Sequence, residues 1–478
     1  MAALAGRSPR QRAGALAAVL GGGLILVWPA LLNGYPILFS DTGAFLHQTL
    51  GPLMIWDKPW IYGPLLHLFH WRVTLWGPVL AQGLALSHLL WLCQRAVTLR
   101  RAGTAGTTGT ANIPSAAGTA GATLAPSATP ARHLLLTAAV AALTTAPWVA
   151  ALLMPDILAA VALLGLFLLG FARDSLTRRE SFWVAALSTL AIAAHLSHLP
   201  LAAALVALPL LLTRRLRPAL RAGLPLAGAC ALLLLTNAVG HGRLSLSPHG
   251  ATFLLARLVA NGPAARTVAA RCPEAGWYLC AWAGRLPTDS DAFLWEPDSP
   301  VNRDAAGQPR FLGGALLSAE AREIVAATLA REPGAVVLDA LRDTGRQLLL
   351  AGIGDILPRE ALGDGLRPRI AEGFPARELA AFDAAAQNRH ALPARAAPFL
   401  PVHAPVLLLG ALALVWLGWR ERAAPRRLGL VLCVLLGVAA NAAATGALSK
   451  PHLRYGARIA WLMPFAALLL ALPPPRRA

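Results

Sequence analysis

Between Phe39 and Tyr62 the chain reads FSDTGAFLHQTLGPLMIWDKPWIY, a run with two carboxylates, Asp41 and Asp57, and a lysine beside a proline, Lys58-Pro59. A carboxylate within hydrogen-bond reach of a hydroxyl can take its proton. The run is too polar for hydrocarbon and too aromatic for an ordinary linker, so it is expected along the membrane–water boundary, where Trp and Tyr concentrate. A carboxylate fixed just outside a first transmembrane helix reads as a site. Asp41 has a second reading, because Ser40-Asp41-Thr42 also suits the cap of a short helix.

Other residues carry chemistry of their own. Arg454, next to Tyr455, has the guanidinium fork that binds phosphate oxygens; it and Lys58 also suit interfacial anchors that snorkel to headgroups. Asp156 follows Pro155 and reads either as a sugar or cation ligand or as an ordinary helix start. His195-x-x-His198 places two rings on one helix face if the helix is continuous, a spacing for a metal or phosphate; without a third ligand the pair reads more readily as polar residues satisfying a bend. Cys272 and Cys280 lie close together in the one large polar region, a pairing that an oxidising compartment makes into a disulfide. Asp289, Asp291, Glu296 and Asp298 do not follow the calcium-loop pattern, and no metal site is assigned.

The elements that must position these residues are apolar. Of 478 residues 56% are hydrophobic and 14% charged, the profile of an all-α polytopic membrane protein. The net charge of +19 lies in arginine clusters between apolar runs, the positive-inside pattern, which excludes a nucleic-acid partner. Runs long enough to cross a bilayer as helices fall at about 15–32, 75–94, 133–149, 156–171, two within 182–213 that meet at a bend near His195–Pro200, 224–239, 399–419, 428–448 and 459–472. Seven of these form an N-terminal core, 1–240, with an outer loop 33–72 and a low-complexity Gly/Thr/Ala/Ser linker over 95–132 that reads as flexible and cytoplasmic. A mainly helical extracytoplasmic region, 241–398, follows, and 399–478 forms C-terminal transmembrane hairpins. The first run is expected as an uncleaved span, since Trp28, Pro29 and Asn33 replace a small-residue cleavage site.

About ten transmembrane helices put both termini in the cytoplasm of a cell (inner or plasma) membrane protein. The same parity gathers Asp41, Asp57, Lys58, Asp156, His195, His198, Cys272, Cys280 and Arg454-Tyr455 on the outer face. Lys450, Arg454 and Arg458 run against the positive-inside rule there.

An Asp shortly after span one, then an aromatic residue, then Lys-Pro and Tyr (Asp41, Phe45, Lys58, Pro59, Tyr62) resembles the GT-C superfamily of integral-membrane glycosyltransferases, which includes protein O-mannosyltransferases and lipid A aminoarabinose transferases. Pro155-Asp156 at the start of span four and Arg454-Tyr455 before the last span match further. The resemblance covers the membrane core and not 241–398. Many members have two adjacent acidic residues where this chain has Asp41-Thr42; a divalent cation therefore stays possible and no cofactor is assigned. The resemblance implies a polyprenyl-phosphate sugar donor and membrane lipids as partners. It implies inverting transfer to an acceptor hydroxyl, with Asp41 as general base and Arg454 and Lys58 on the leaving phosphate. Tyr62, Asp156, His195, His198 and Tyr455 complete the expected substrate-binding set. Two other classes fit an apolar chain: a lipid-linked substrate transporter or flippase, and a non-catalytic envelope-assembly protein. Nearly charge-free spans and the lack of an evident repeat weigh against the former.

Overall fold

Each apolar run in the described part of the chain folds as helix, and the breaks between helices fall where proline or a hydroxyl interrupts the ladder. The structure is a computed structural model that describes residues 9–51, 54–98 and 128–472. Most of the linker expected over 95–132, and the tail beyond 472, lie outside the described residues. Among the described residues there is no strand, only two isolated bridges, Ile37 with Leu152 and Arg303 with Pro309.

Helix α1 (Pro9–Leu26) stops before α2 (Trp28–Asn33), where Pro29 has no N–H to continue the ladder, and Gly34 at φ 77° closes α2. Helices α3 (Ser40–Leu50) and α4 (Tyr62–His70) occupy the loop 33–72, and α5 (Trp76–Thr98) leaves it. The third run divides into α6 (Pro130–Leu143) and α7 (Ala146–Ala151). Thr144 Oγ1 bonds back to the carbonyl of Val140 at 2.7 Å, Thr145 Oγ1 reaches the carbonyl of Ala457 at 2.8 Å, and Pro147 opens the next turn. Helix α8 (Ile157–Phe171) is buried from Ile157 to Leu169 on every side, as expected of a helix apolar all round. It is the axis of the larger core, with α9 (Arg178–Ala193), α10 (His198–Thr213) and α11 (Leu216–His241) packed about it. The bend expected near 195–200 lies between α9 and α10, and Pro200 sits in the first turn of α10, where its missing N–H costs nothing.

The polar region is helical, as its charge patterning implies. Helices α12 (Gly250–Ala260), α13 (Pro263–Arg271), α14 (Ser290–Trp295), α15 (Gly313–Arg331) and α16 (Pro333–Leu349) come first. Leu255, Val259, Val268, Phe293, Leu317 and Ile324 from this part form a second, separate core, and Cys272 and Cys280 are joined as a disulfide beside it. The rest, α17 (Leu366–Gly373), α18 (Ala376–Ala384) and α19 (Leu392–Ala396), contributes instead to the larger core through Ile353, Leu366, Phe382 and Leu392. The chain ends with α20 (His403–Arg420), α21 (Pro425–Leu448), α22 (Leu453–Ala460) and α23 (Leu462–Ala471). Pro464 cannot donate to the carbonyl of Ala460, which separates the last two.

Among the described residues four helical stretches are long and apolar enough to cross a membrane: Leu216–His241, Leu392–Arg420, Pro425–Leu448 and Leu453–Ala471. The other apolar runs fall short in length, continuity or hydropathy; α5 has the length but carries Gln82, His88 and Gln94. Leu216, Leu220, Leu224, Leu235 and Val239 on α11 are exposed, as are Leu408, Leu412, Val415 and Trp419 on α20. Apolar faces of this extent suit lipid rather than water.

Candidate functional site

The site is assembled by a backbone register. Ile37 and Leu152 form a parallel bridge, with the N–H of Ile37 on the carbonyl of Ala151 at 3.1 Å and that of Leu153 on the carbonyl of Ile37 at 2.9 Å. Asp41 lies four residues beyond Ile37 and Asp156 four beyond Leu152, so the bridge sets the two carboxylates side by side at the entrances of α3 and α8. Residues 35–39 are fixed from the far side as well. Gln387 exchanges hydrogen bonds with both backbone groups of Leu38, and Glu378 accepts from the Tyr35 hydroxyl at 2.8 Å and the N–H of Leu75 at 2.7 Å.

The capping reading of Asp41 does not describe what its side chain does. Thr42 supplies the cap of α3: its Oγ1 accepts from the N–H of Phe39 at 3.0 Å and donates to the carbonyl of Leu153 at 2.9 Å. Asp41 is left to face cations. Lys58 Nζ lies 3.1 Å from its Oδ1 and Arg454 Nη2 lies 3.7 Å from its Oδ2. Lys58 is also paired with Asp57. Arg454 reaches Asp156 at 3.6 Å, and Arg458, one turn on, reaches the other oxygen of Asp156 at 3.7 Å. The result is an alternating ladder: Asp57, Lys58, Asp41, Arg454, Asp156, Arg458.

Below the ladder the contacts turn neutral. Arg458 donates from Nε and Nη2 to Asn441 Oδ1 at 2.9 and 2.7 Å, and from Nη2 to Ser197 Oγ at 2.8 Å. Ser197 Oγ lies 2.8 Å from Nδ1 of His195, which also accepts from the N–H of Ser197, so the imidazole proton belongs on Nε2. His195 thus joins the site through Ser197. His198 turns away: its Nδ1 meets the carbonyl of Ala191 at 2.7 Å, and the bend, not a shared helix face, brings the two rings to 5.3 Å.

Exposure separates the roles. The Asp41 side chain keeps 30% of its surface open, Lys58 12% and Arg454 10%, whereas Asp156 keeps 4% and Arg458 none. The open part of the ladder is therefore Asp41, Lys58 and Arg454, and the lower pair packs beneath Arg454. Burial alone pushes the Asp41 carboxyl up, but Lys58 and Arg454 outweigh it and hold the group below the usual carboxylate range, ionised at neutral pH. Burial likewise disfavours the charged Lys58, and Asp41 and Asp57 more than offset this, keeping it protonated. The Arg454 guanidinium sits 4.2 Å from the ring centre of Phe39 and 4.9 Å from that of Tyr455. Lys58 Nζ lies 5.9 Å from the Phe45 ring and 5.6 Å from that of Trp295.

Of the residues singled out from sequence, Asp41, Lys58, Asp156, Arg454 and Tyr455 converge directly. Tyr62 lies beneath them, 1% exposed, its hydroxyl on Gln82 Oε1 at 2.6 Å, and it supports Phe45 instead of reaching the open side. The disulfide belongs to the second core and takes no part in the ladder. Reading the sequence did not single out Arg458, Asn441, Ser197 or Asp355 as site residues. Asp355 Oδ2 accepts from the N–H of Arg454 at 3.0 Å, and burial raises its carboxyl above the usual range. Arg458 was legible from its spacing, four residues after Arg454 on one helix face, and Asn441 from its place amid an apolar run. Asp355 sits in a loop with no pattern around it. Among the described residues no three His, Cys, Asp or Glu side chains gather as a metal would need. The carboxylates here already face protein cations, which does not fit a resident divalent cation.

Compared with known proteins, the chain matches no family model, no curated protein and no solved structure.

Proposed function

We propose that this chain is a membrane glycosyltransferase of GT-C type that moves a sugar from a polyprenyl-phosphate donor to an acceptor hydroxyl on the extracytoplasmic face of the cell membrane. In this reading about ten spans leave both termini in the cytoplasm, with the shorter helices crossing in consecutive pairs or where the bilayer thins around them. The observation that carries it is the reachable carboxylate of Asp41 held between Lys58 and Arg454 at the loop end of an apolar bundle.

The chemistry of this reading follows from that arrangement. The acceptor oxygen attacks the anomeric carbon from the face opposite the phosphate, and its proton passes to the Asp41 carboxylate. The carbon–oxygen bond to phosphate breaks, and the electron pair leaves with polyprenyl phosphate, whose charge Lys58 and Arg454 receive. A single displacement inverts the anomeric centre. Arg454 offers two parallel donors to phosphate oxygens, and Phe39 and Tyr455 keep its plane fixed. Asp156, Arg458, Asn441 and Ser197 are positioning residues.

The test is incubation of purified protein in proteoliposomes with labelled polyprenyl-phosphate sugars. Release or transfer of the sugar is the expected result. Movement of intact lipid between leaflets identifies a flippase instead, and neither outcome leaves a non-catalytic assembly partner.

A further inference from the structure

Helix α16 belongs to the polar region, yet one of its faces is apolar and uncovered. Val337, Leu338, Leu341, Leu348 and Leu349 are between 47% and 87% exposed, and at 3.6 residues per turn they share one arc of about 120°. The opposite side, with Asp343 and Gln347 buried, packs along α21. Arg342 and Arg346 stand exposed at one edge of the apolar arc. Asp339 lies 3.3 Å from Arg342; Asp343 lies 3.4 Å from Arg346 but also holds Arg257, so Arg346 shares its carboxylate.

Helix α21 supplies a depth scale for that face. Arg426 and Arg427 end its apolar run on one side, and the rise from Leu428 to Leu448 is about 30 Å, the thickness of a bilayer's hydrocarbon layer. Measured from Leu448, Gly446 lies about 3 Å down, Ala442 about 9 Å and Val438 about 15 Å. Gly446 packs on the backbone of Asp343, where a β-carbon would lie 2.6 Å from the carbonyl oxygen. Leu348 and Leu349 line a groove of about 250 Å³ together with Ala442 and Val438. Asp343 to Leu349 is itself a rise of about 9 Å, so α16 descends beside α21 from the border into the apolar layer. The other wall of the groove is Leu407, Leu408 and Ala411 of α20, and Leu408 belongs to the exposed face of α20 that suits lipid. The apolar arc of α16 is therefore continuous with a lipid-facing surface.

We propose that α16 is seated in the bilayer: residues 343–349 enter the leaflet nearest the ladder, an acyl chain of a membrane phospholipid fills the groove against α20 and α21, and Arg342 and Arg346 reach back to the phosphates. Long cationic side chains at the edge of an apolar face do this while their stems stay in the apolar layer. Gln347, on the same turn, bonds both backbone groups of His452, so the seat of α16 also sets the start of α22. The inference needs α21 to cross a bilayer and does not rest on the transferase reading.

The experiment uses the full chain in nanodiscs of phosphatidylcholine and phosphatidylglycerol with no polyprenyl lipid present. The photo-crosslinking residue benzoylphenylalanine is placed at Leu349, and the mass of the adduct is read after irradiation. Leu412 on α20 is the lipid-facing reference, and Ala306, exposed in the polar region, is the aqueous one. Phospholipid adducts at Leu349 are expected to match those at Leu412 and to exceed those at Ala306 at least about tenfold, since the apolar layer and water differ by far more than the 1.4 kcal/mol that a factor of ten requires. Leu348 takes the probe if the Leu349 variant does not fold, with the same expectation. Arg346→Gln is expected to lower the yield at Leu349 about threefold, near the worth of one partly solvated charge contact. Lipid adducts at Leu349 and Leu348 no more frequent than at Ala306, adducts to protein in place of lipid, or an unchanged yield in Arg346→Gln overturns the proposal.

Discussion

Replacing Asp41 with asparagine keeps the shape of the side chain and removes its charge, and the ladder separates the effect on stability from the effect on rate. Neither neighbouring cation is orphaned. Lys58 keeps Asp57, and Arg454 keeps Asp156 at 3.6 Å and two aromatic faces. The lost pairs, at 3.1 and 3.7 Å, end on a side chain that is 30% open, and partly solvated pairs of this kind contribute about 1 kcal/mol or less. Transfer, by contrast, loses its proton acceptor, worth roughly 10²- to 10⁴-fold in rate, or about 3 to 5 kcal/mol of barrier. Asp156→Asn reverses the balance. Arg458 has no exposed surface and loses its carboxylate partner, and an uncompensated buried charge costs about 3 to 5 kcal/mol. The assay pairs single-turnover transfer in proteoliposomes with unfolding in the same lipid. Asp41→Asn is expected to melt near wild type and to be nearly inactive; Asp156→Asn is expected to be destabilised first. A folded Asp41→Asn that retains more than about a tenth of the wild-type rate removes the base. Equal destabilisation of the two variants refutes the partition drawn from the ladder.

Replacing Asp156 and Arg458 together with leucines is expected to restore much of the stability lost in Asp156→Asn, because an apolar pair avoids the buried charge; a double variant no more stable than the single one contradicts this. Arg454→Lys lowers donor affinity about tenfold or more with expression unchanged, since an ammonium lacks the bidentate fork; equal affinity in a donor-binding titration counts against a phosphate role. A last outcome concerns pH. Burial raises the Asp291 carboxyl, but His452 and Lys450 hold it down at about 2. A depressed folded value means that its contribution is complete above the unfolded value of about 3.9 and is lost as pH falls toward 2. Limited proteolysis of 250–331 is therefore expected to quicken between about pH 4 and 2, and Asp291→Asn to remove that step.

Apolar length and proline placement were enough to locate the helices of the bundle and the bend before His198. They did not reveal that several runs are divided, because a hydroxyl bonding its own backbone, as Thr144 does, leaves the hydropathy unchanged. The carboxylate and cations of the site were legible because charges at the ends of apolar runs are costly without a use. Their pairing was not, since it depends on the Ile37–Leu152 bridge, which joins residues with no shared pattern. The division of the polar region also escaped the sequence: residues 250–331 and 353–396 both read as polar and helical, and which core receives a helix is decided by long-range contacts.

The end of α16 and the segment after it are stitched to the start of the helix that carries the arginines. Gln347 exchanges hydrogen bonds with both backbone groups of His452 at 2.9 Å, the N–H of Gly352 meets the carbonyl of Leu453 at 3.2 Å, and a β-carbon at Gly456 would lie 1.8 Å from the carbonyl oxygen of Leu350. An engineer who exchanged residues 241–398 as a cassette between chains would cut through this seam. The graft that preserves the guanidinium geometry has to carry 449–460 with it, and glycine at 456 is the first position to check in any chimera.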